Sequence, residues 1–300
     1  MAEAILYGRP APGLIEAPRG ARQVSPLIPG SEDLASLADD SVDEAWVLAP
    51  PGTLERDFVL AQALRALTPG GRLTAFGPKD KGGSRLKTAL ERFGCQVEEA
   101  ARRHHRFCDV VRPEALKDIQ AAISAGAPRI VDGLGLWSQP GVFSWDRVDL
   151  GSALLLQHLP LFKGRGADFG GGVGVLAHKV LASADVTALT VVELDRRAVE
   201  AARRNLDDPR VNLIWADVRQ TDLSDLDFVV MNPPFHDGGS EDRSLGQAFV
   251  VAAAGALRKG GRLWLTANRH LPYEAPLKAS FARVELKAEA GGYKIYEAVK

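Results

Sequence analysis

Gly164-Arg165-Gly166-Ala167-Asp168-Phe169-Gly170-Gly171-Gly172-Val173-Gly174-Val175-Leu176-Ala177 is the stretch that decides the fold. It reads as a short strand, a glycine turn and the start of a helix, the opening of a nucleotide-type βαβ unit. Glycines suit such a turn because the chain must reverse tightly and bring its backbone close to a ligand. Gly172-x-Gly174-x-x-Ala177 satisfies a dinucleotide fingerprint, so this loop alone leaves a nicotinamide cofactor open. Two acids point elsewhere. Asp168 makes the turn Asp-x-Gly-x-Gly-x-Gly, placing a carboxylate where it would repel a pyrophosphate and suit the positive end of S-adenosylmethionine. Downstream, Thr190-Val191-Val192-Glu193 ends a second strand in an acid able to accept both ribose hydroxyls.

The pattern continues outward from there. Asp195 is placed to cap a helix over Arg196–Asn205, and a third strand, Val211–Trp215, ends at Ala216-Asp217. Asp217 reads first as an acceptor for an adenine amino group and, close behind, as a surface turn residue. A fourth strand over 228–231 then meets Asn232-Pro233-Pro234-Phe235. Proline cannot donate to a sheet ladder and restricts the residue before it, so the chain must leave the sheet at Asn232 in a stiff, extended turn. That turn fixes two acceptors, the Asn232 side-chain oxygen and the Pro233 carbonyl, and one ring, Phe235, with Pro234 beside it.

Such a group can grip a planar amine through its two N–H bonds while the ring stacks on the plane. An exocyclic NH2 is a poor nucleophile because its lone pair is delocalised. Acceptors that favour a pyramidal nitrogen localise that pair, by orientation and electrostatic preorganisation and not by strong-base catalysis. Glycine turn, two acids and Asn-Pro-Pro-Phe fall on consecutive strand ends of one sheet. Together they specify an amine methyltransferase far more narrowly than any member does alone. His236 and His270 read as pocket wall or packing, since the proton on an alkylated amine is acidic enough to leave to water.

Length and composition set the surroundings. The chain has 300 residues, 46% of them hydrophobic and 25% charged, and a formal net charge of −1. Two domains are the default at that length. The charge removes any general electrostatic attraction to nucleic acid, so RNA contact must come from a local patch. Arg102-Arg103-His104-His105-Arg106 is the densest basic cluster of the first half, and it reads first as a solvated turn, second as an RNA contact. No apolar run approaches a membrane span, and Met1-Ala2-Glu3-Ala4 lacks the basic start of a signal peptide, so a cytoplasmic chain without membrane contact is expected. Cys95 and Cys108 lack metal-ligand spacing and are expected as reduced thiols, and no metal site is expected.

One sentence of this sequence is written twice. Val47-Leu48-Ala49-Pro50-Pro51 parallels Val230-Met231-Asn232-Pro233-Pro234. Leu67-Thr68-Pro69-Gly70-Gly71-Arg72-Leu73 parallels Leu257-Arg258-Lys259-Gly260-Gly261-Arg262-Leu263. Arg106-Phe107-Cys108-Asp109-Val110-Val111 parallels Lys294-Ile295-Tyr296-Glu297-Ala298-Val299. Three matches in one order imply an internal duplication of an α/β unit. The early copy carries Ala49 in place of the asparagine and has no three-glycine turn, which predicts a catalytically inert copy left to bind substrate or to brace its twin. Within it, a short strand is expected near residues 4–7 in an otherwise irregular lead-in. Helices are expected over 55–67 and 113–125, and over 153–158 in the second copy.

These residues resemble the class I S-adenosylmethionine methyltransferases that modify guanine N2 in small-subunit (16S) ribosomal RNA, an RsmC-like family with tandem methyltransferase folds. The matching pieces are Pro140-Gly141-Val142-Phe143-Ser144, Asp149-Leu150-Gly151-Ser152, the Asp168 turn, Asn232-Pro233-Pro234-Phe235-His236-Asp237-Gly238, Ala267-Asn268-Arg269-His270-Leu271-Pro272-Tyr273 and Tyr293-Lys294-Ile295-Tyr296. The resemblance implies two tandem Rossmann-like α/β folds, the N-terminal one degenerate and serving RNA binding or support. The corresponding division is 1–125, a linker at 126–140, and a catalytic domain at 141–300. It further implies that Phe143 and Ser144 border the cofactor pocket. With the residues read above, the expected cofactor set is Phe143, Ser144, Asp168, Gly170, Gly172, Gly174, Glu193, Asp217 and Asn232. The expected chemistry falls to Asn232, Pro233 and Phe235, with Pro234 and Phe235 against the substrate. Ribosomal RNA or the small ribosomal subunit is the expected partner of a monomeric enzyme. One departure is Gly171-Gly172, where relatives often carry a Cys or Ser beside the glycines. The alternatives are methylation of large-subunit RNA guanine, of DNA adenine N6 or of protein glutamine N5, and a non-catalytic RNA- or nucleotide-binding protein.

Overall fold

The computed structural model describes residues 3–234, 236–237, 240–241 and 243–300. The chain forms two compact units, Met1–Arg129 with Gln139–Gly141, and Ile130–Ser138 with Val142–Lys300.

The first unit is a six-stranded sheet. Strands β1 (Ala4–Tyr7), β2 (Arg22–Gln23), β3 (Val42–Leu48), β4 (Leu67–Pro78), β5 (Val97–Arg102) and β6 (His105–Val111) lie in the order β2-β1-β3-β4-β6-β5. The first four are mutually parallel, and β6 and β5 return antiparallel. Helices α1 (Thr53–Ala66), α2 (Leu86–Arg92) and α3 (Ile119–Gly126) accompany them. Val59, Leu60, Ala63 and Leu64 of α1 pack into one buried core with Ala45, Val47, Leu73 and Ala75 of the sheet. The helix expected over 113–125 is real only from Ile119. Asp118 adopts φ +53°, and the Lys117 amide is spent on the Phe93 carbonyl at 3.1 Å, so the preceding residues are tied to the end of α2 and cannot wind. The stretch read as linker holds a two-stranded ribbon, β7 (Arg129–Val131) with β8 (Leu136–Ser138).

The second unit carries α4 (Leu150–His158), β9 (Gly164–Phe169), α5 (Val175–Leu181), β10 (Val186–Glu193), α6 (Arg196–Asn205), β11 (Val211–Trp215) and β12 (Leu226–Met231). A small hairpin, β13 (His236–Asp237) with β14 (Ser240–Glu241), follows, then α7 (Arg243–Ala256), β15 (Leu257–Asn268), α8 (Glu274–Ser280), β16 (Arg283–Ala290) and β17 (Tyr293–Val299). Its main sheet runs β11-β10-β9-β12-β15-β17-β16, parallel through β15 and antiparallel for the last two strands. Both sheets therefore end in the same antiparallel pair beside a long parallel strand. This is the tandem doubly wound architecture expected from the repeat.

Strand β12 is apolar from Phe228 to Met231 because both its faces are covered there. Val229 and Met231 face Phe249, Val250 and Ala253 of α7, while Phe228 and Val230 face Leu155 of α4 and Ala177 and Val180 of α5. Its pairing with β9 sets Phe228 opposite Gly166 and Met231 opposite Phe169. Phe228 lies over Gly166 and stacks on Phe162 with ring centroids 4.3 Å apart. A Cβ on Gly166 would come within 2.1 Å of the Phe228 ring. Gly166→Ala is therefore expected to cost about 1–3 kcal/mol by overpacking. Denaturant unfolding of the full chain measures it, and a variant as stable as the parent would refute the packing argument.

Candidate functional site

Strand order reverses at β9, which has β10 on one side and β12 on the other, and a crevice opens at the carboxyl ends where such a reversal occurs. The glycine turn leaves β9 after Phe169 and Asn232 leaves β12 after Met231, two residues paired across the sheet. Cofactor-type loop and amine-type loop thus start level with each other, as neighbours.

The turn is held by Glu193. Its Oε2 accepts from the Gly172 amide at 2.9 Å and its Oε1 from the Asp195 amide at 2.8 Å. Gly172 and Gly174 take φ of +56° and +97°, left-handed values that a side chain would strain. A Cβ on Gly171 would come within 2.4 Å of Val191 Cγ1, so the departure noted in the sequence has a packing reason here. Burial is the main cause that raises the Glu193 carboxyl above its ordinary range, against the Asp195, Gly172 and Leu194 amides that favour its charge.

Asp168 lies beneath the turn, close to Gly171, and is fully buried. Neither carboxylate oxygen makes a complete hydrogen bond among the described residues. Burial, aided by the nearby Glu193 charge, pushes its pKa up to about 8 against a small pull from the Ala177 amide. A buried acid without full hydrogen bonding is a place for a cation or a donor, not for a pyrophosphate. With Glu193 beside it and open space above Gly172, the set fits a positively charged cofactor carrying hydroxyl groups.

Asn232 is held more tightly than its sequence neighbours disclose. Its Nδ2 donates to Asp149 Oδ2 at 2.8 Å and to Ser152 Oγ at 2.9 Å. A carboxylate only accepts, so the amide is oriented by chemistry as well as by distance, with Oδ1 turned the other way. No described residue donates to that oxygen. Asp149 is at once the N-cap of α4, accepting from the Ser152 amide at 3.0 Å. The Tyr293 ring covers Gly151, where a Cβ would come within 2.7 Å of it, and Tyr293 Oη approaches Asp149 Oδ1 at 3.4 Å. Burial and the Asp149 charge both raise the Tyr293 phenol.

The remaining expected residues are placed less uniformly. Pro233 is buried and Pro234 exposed, whereas Phe235 lies outside the described residues. Asp217 lies two residues beyond β11 and caps the next turn, accepting from the Arg219 amide and from its guanidinium at 2.6 Å. Phe143 is 63% exposed, and Ser144, at φ +49°, donates to the Arg147 carbonyl. His270 caps nothing with its ring but donates its amide to Asn268 Oδ1. Cys95 and Cys108 are buried free thiols raised by burial to about 11 and about 12. Sequence reading missed the roles of Asp149 and Ser152, whose spacing is that of a helix cap and its first turn. It also missed Arg197, which forms a buried two-pronged pair with Asp195 at 2.7 Å at the start of α6.

Glu274, just after Leu271-Pro272-Tyr273, ties that motif to the closing strand through Lys294 Nζ at 2.6 Å and Tyr296 Oη. Burial acts to raise its carboxyl, but those two donors outweigh it and hold it at about 2. Among the described residues no group of His, Cys, Asp and Glu could hold a metal ion, and no helix is long and apolar enough to cross a membrane.

Residues 133–297 match the sequence model of the methyltransferase small domain. The chain is 33% identical over 264 residues to ribosomal RNA small subunit methyltransferase C of Pseudomonas entomophila, covering 86% of this chain and 79% of that one. The Stutzerimonas stutzeri protein of the same name is 31% identical over 99% of this chain and 94% of its own. A solved T. thermophilus structure, a 16S rRNA N2 G1207 methyltransferase (RsmC) in complex with AdoMet and guanosine, superposes with a TM-score of 0.75 at 29% identity. It covers 89% of this chain and 75% of that one.

Asp168 has a pH signature. Its pKa is about 8 folded against 3.8 for the free side chain, so between those values the folded state holds a proton that the unfolded state has lost. Stability must fall as pH rises through that window, at most by about 1.4 kcal/mol per pH unit. Asp168→Asn removes the effect, and the difference in Tm between variant and parent should grow in the variant's favour from pH 5 to pH 8. Parallel pH profiles would refute the buried proton.

Proposed function

The chain belongs to the ribosomal RNA small subunit methyltransferase C family, and on that premise we propose that it methylates guanine N2 in small-subunit ribosomal RNA with S-adenosylmethionine as donor. The observation that carries the reading is the locked Asn232 amide. Its oxygen is turned away from Asp149 and Ser152 at the strand end next to the glycine turn.

Bound S-adenosylmethionine supplies an electrophilic methyl on a sulfonium. The chain supplies everything else. Asp168 and Glu193, with Gly170, Gly172 and Gly174, would hold the cofactor, Asp217 would meet its adenine, and Phe143 and Ser144 would border it. Asn232 Oδ1 accepts one N–H of the guanine amine and the Pro233 carbonyl the other. Two acceptors on one nitrogen favour its pyramidal form and gather the lone pair that attacks. Phe235, beside Pro234, stacks on the base and keeps its plane fixed. Asp149 and Ser152 keep the amide from turning its NH2 toward the amine, where donor would meet donor. The proton released after transfer passes to water. If the guanine lies in a folded RNA, it must leave its stack to reach the crevice. The enzyme works as a cytoplasmic monomer without a metal ion.

Label from the cofactor should appear on guanine N2 of small-subunit RNA. Label on large-subunit RNA, DNA adenine or protein glutamine would overturn the assignment. Asn232→Ala should lower turnover about 10²- to 10³-fold, the scale of losing one preorganised hydrogen-bonding group. Asp149→Ala, which frees the amide to rotate, should lower kcat about tenfold to a hundredfold while cofactor affinity holds. Equal losses in kcat and cofactor affinity would instead make Asp149 a cofactor ligand.

A further inference from the structure

The glycine turn of the second unit is gripped from two sides. Glu193 takes the Gly172 amide, and the next residue, Val173, is buried with its carbonyl accepting from Asn205 Nδ2 at 2.9 Å. Asn205 is the last residue of α6. The same Nδ2 donates to the Trp137 carbonyl at 3.0 Å, and Asn205 Oδ1 accepts from the Trp137 amide at 2.8 Å. One side-chain amide thus spends both its hydrogens and its oxygen on backbone. Turned over, it would set its oxygen against two carbonyls and its NH2 against an N–H, so its orientation is fixed by chemistry.

One helix therefore meets the turn at two consecutive residues. It holds Gly172 through Glu193, which also takes the amide of its N-cap Asp195, and it holds Val173 through Asn205 at its other end. Packing supports the second joint. Leu206 lies beneath Gly174, where a Cβ would stand 3.0 Å from its Cγ and Cδ1. Val142, Val173, Ala198 and Ala201 form a small core against Leu134, Leu136 and Trp137 of the β7–β8 ribbon, and Arg204 lies 4.5 Å over the Trp137 ring. The joint matters because of what it holds. Of residues 170–174 only Val173 has a side chain, and it stands between glycines at φ +56° and +97°. Glycine backbone has the most freedom to lose on ordering, and bonds that fix the turn beforehand remove that cost from ligand binding.

We propose that Asn205 is a positioning residue for cofactor binding, holding the glycine turn in its binding shape through the Val173 carbonyl and coupling it to the β7–β8 ribbon through Trp137. Asn205 acts on the cofactor only through the backbone of the turn, so its effect falls on affinity and not on the transfer step. Such coupling is reciprocal. If the ribbon steadies the turn for the cofactor, the cofactor steadies the ribbon. The inference rests on S-adenosylmethionine occupying this turn, and its test separates the two. Affinities of the full chain for S-adenosylmethionine and S-adenosylhomocysteine are measured by calorimetry where each variant is folded, beside kcat and KM on small-subunit ribosomal RNA.

Asn205→Ala should weaken both ligands about tenfold, the scale of one hydrogen bond to a backbone group. KM for the cofactor should rise by the same factor while kcat stays within about twofold of the parent. Asn205→Asp keeps the acceptor for the Trp137 amide but sets a second acceptor against the Val173 carbonyl, and should weaken both ligands at least as much. Arg204→Ala, which removes the cation over the Trp137 ring, should bind as the parent does. In the parent, S-adenosylmethionine should slow hydrogen exchange at the Trp137 amide. A lower Tm with parental affinity would make Asn205 a purely structural residue and overturn the proposal, as would a loss confined to kcat or an exchange rate that the cofactor leaves unchanged. Should the alanine variant not fold, Asn205→Asp and the exchange measurement on the parent decide. If the parent binds S-adenosylmethionine but transfers no methyl to RNA, the functional reading fails and the affinities still decide the role of Asn205. If the parent methylates RNA and both Asn205 variants bind cofactor as tightly as it does, that role fails and the function stands. A parent that binds neither ligand overturns both.

Discussion

The pairing of β9 with β12 is the constraint on which the site depends. These strands are distant in sequence, yet Met231 sits opposite Phe169, so the two loops that follow start side by side. A slip of one residue would turn every β12 side chain to the other face. That slip is opposed on both sides, because Phe228 and Val230 fill one helical layer while Val229 and Met231 fill the other. The Phe228 ring over Gly166 adds a steric lock to the same register. Catalytic alignment is in this sense a by-product of core packing.

On that frame the site is built by sharing groups. Asp149 caps a helix and orients an amide with one oxygen, and Glu193 joins the glycine turn to the start of α6. Economy of this kind makes the site rigid, since moving one partner disturbs another element. Asp168 is the exception. A fully buried acid without complete hydrogen bonding is destabilising by itself, and such cost concentrated under a ligand loop is the usual mark of a site shaped for binding and not for stability.

The two repeats show what duplication preserves. Sheet order at the antiparallel edge, the strand leading into Pro-Pro and the glycine entry to the long parallel strand are retained in both. These features are needed to close a core. What differs is the residue just before the prolines, Ala49 against Asn232. Side chains that serve chemistry are free to change once a second copy performs it, whereas those that serve packing are not.

Much of this was legible in the sequence because it is local. The glycine turn, the alternating and continuous apolar runs, the Asp195 cap and the strand ends at Glu193 and Met231 follow from neighbours a few residues apart, and the family was legible in motifs of the same length. The helix expected over 113–125 was not, since a long-range bond from Lys117 to Phe93 overrides local propensity there. Nor were the ribbon within 126–140, the Asp195–Arg197 pair, or the local use of Asp217 by Arg219. Sequence alone determined which groups are present and on which strand ends they stand. Only the tertiary structure decided which way the Asn232 amide faces, because that depends on atoms brought together across tens of residues by the sheet.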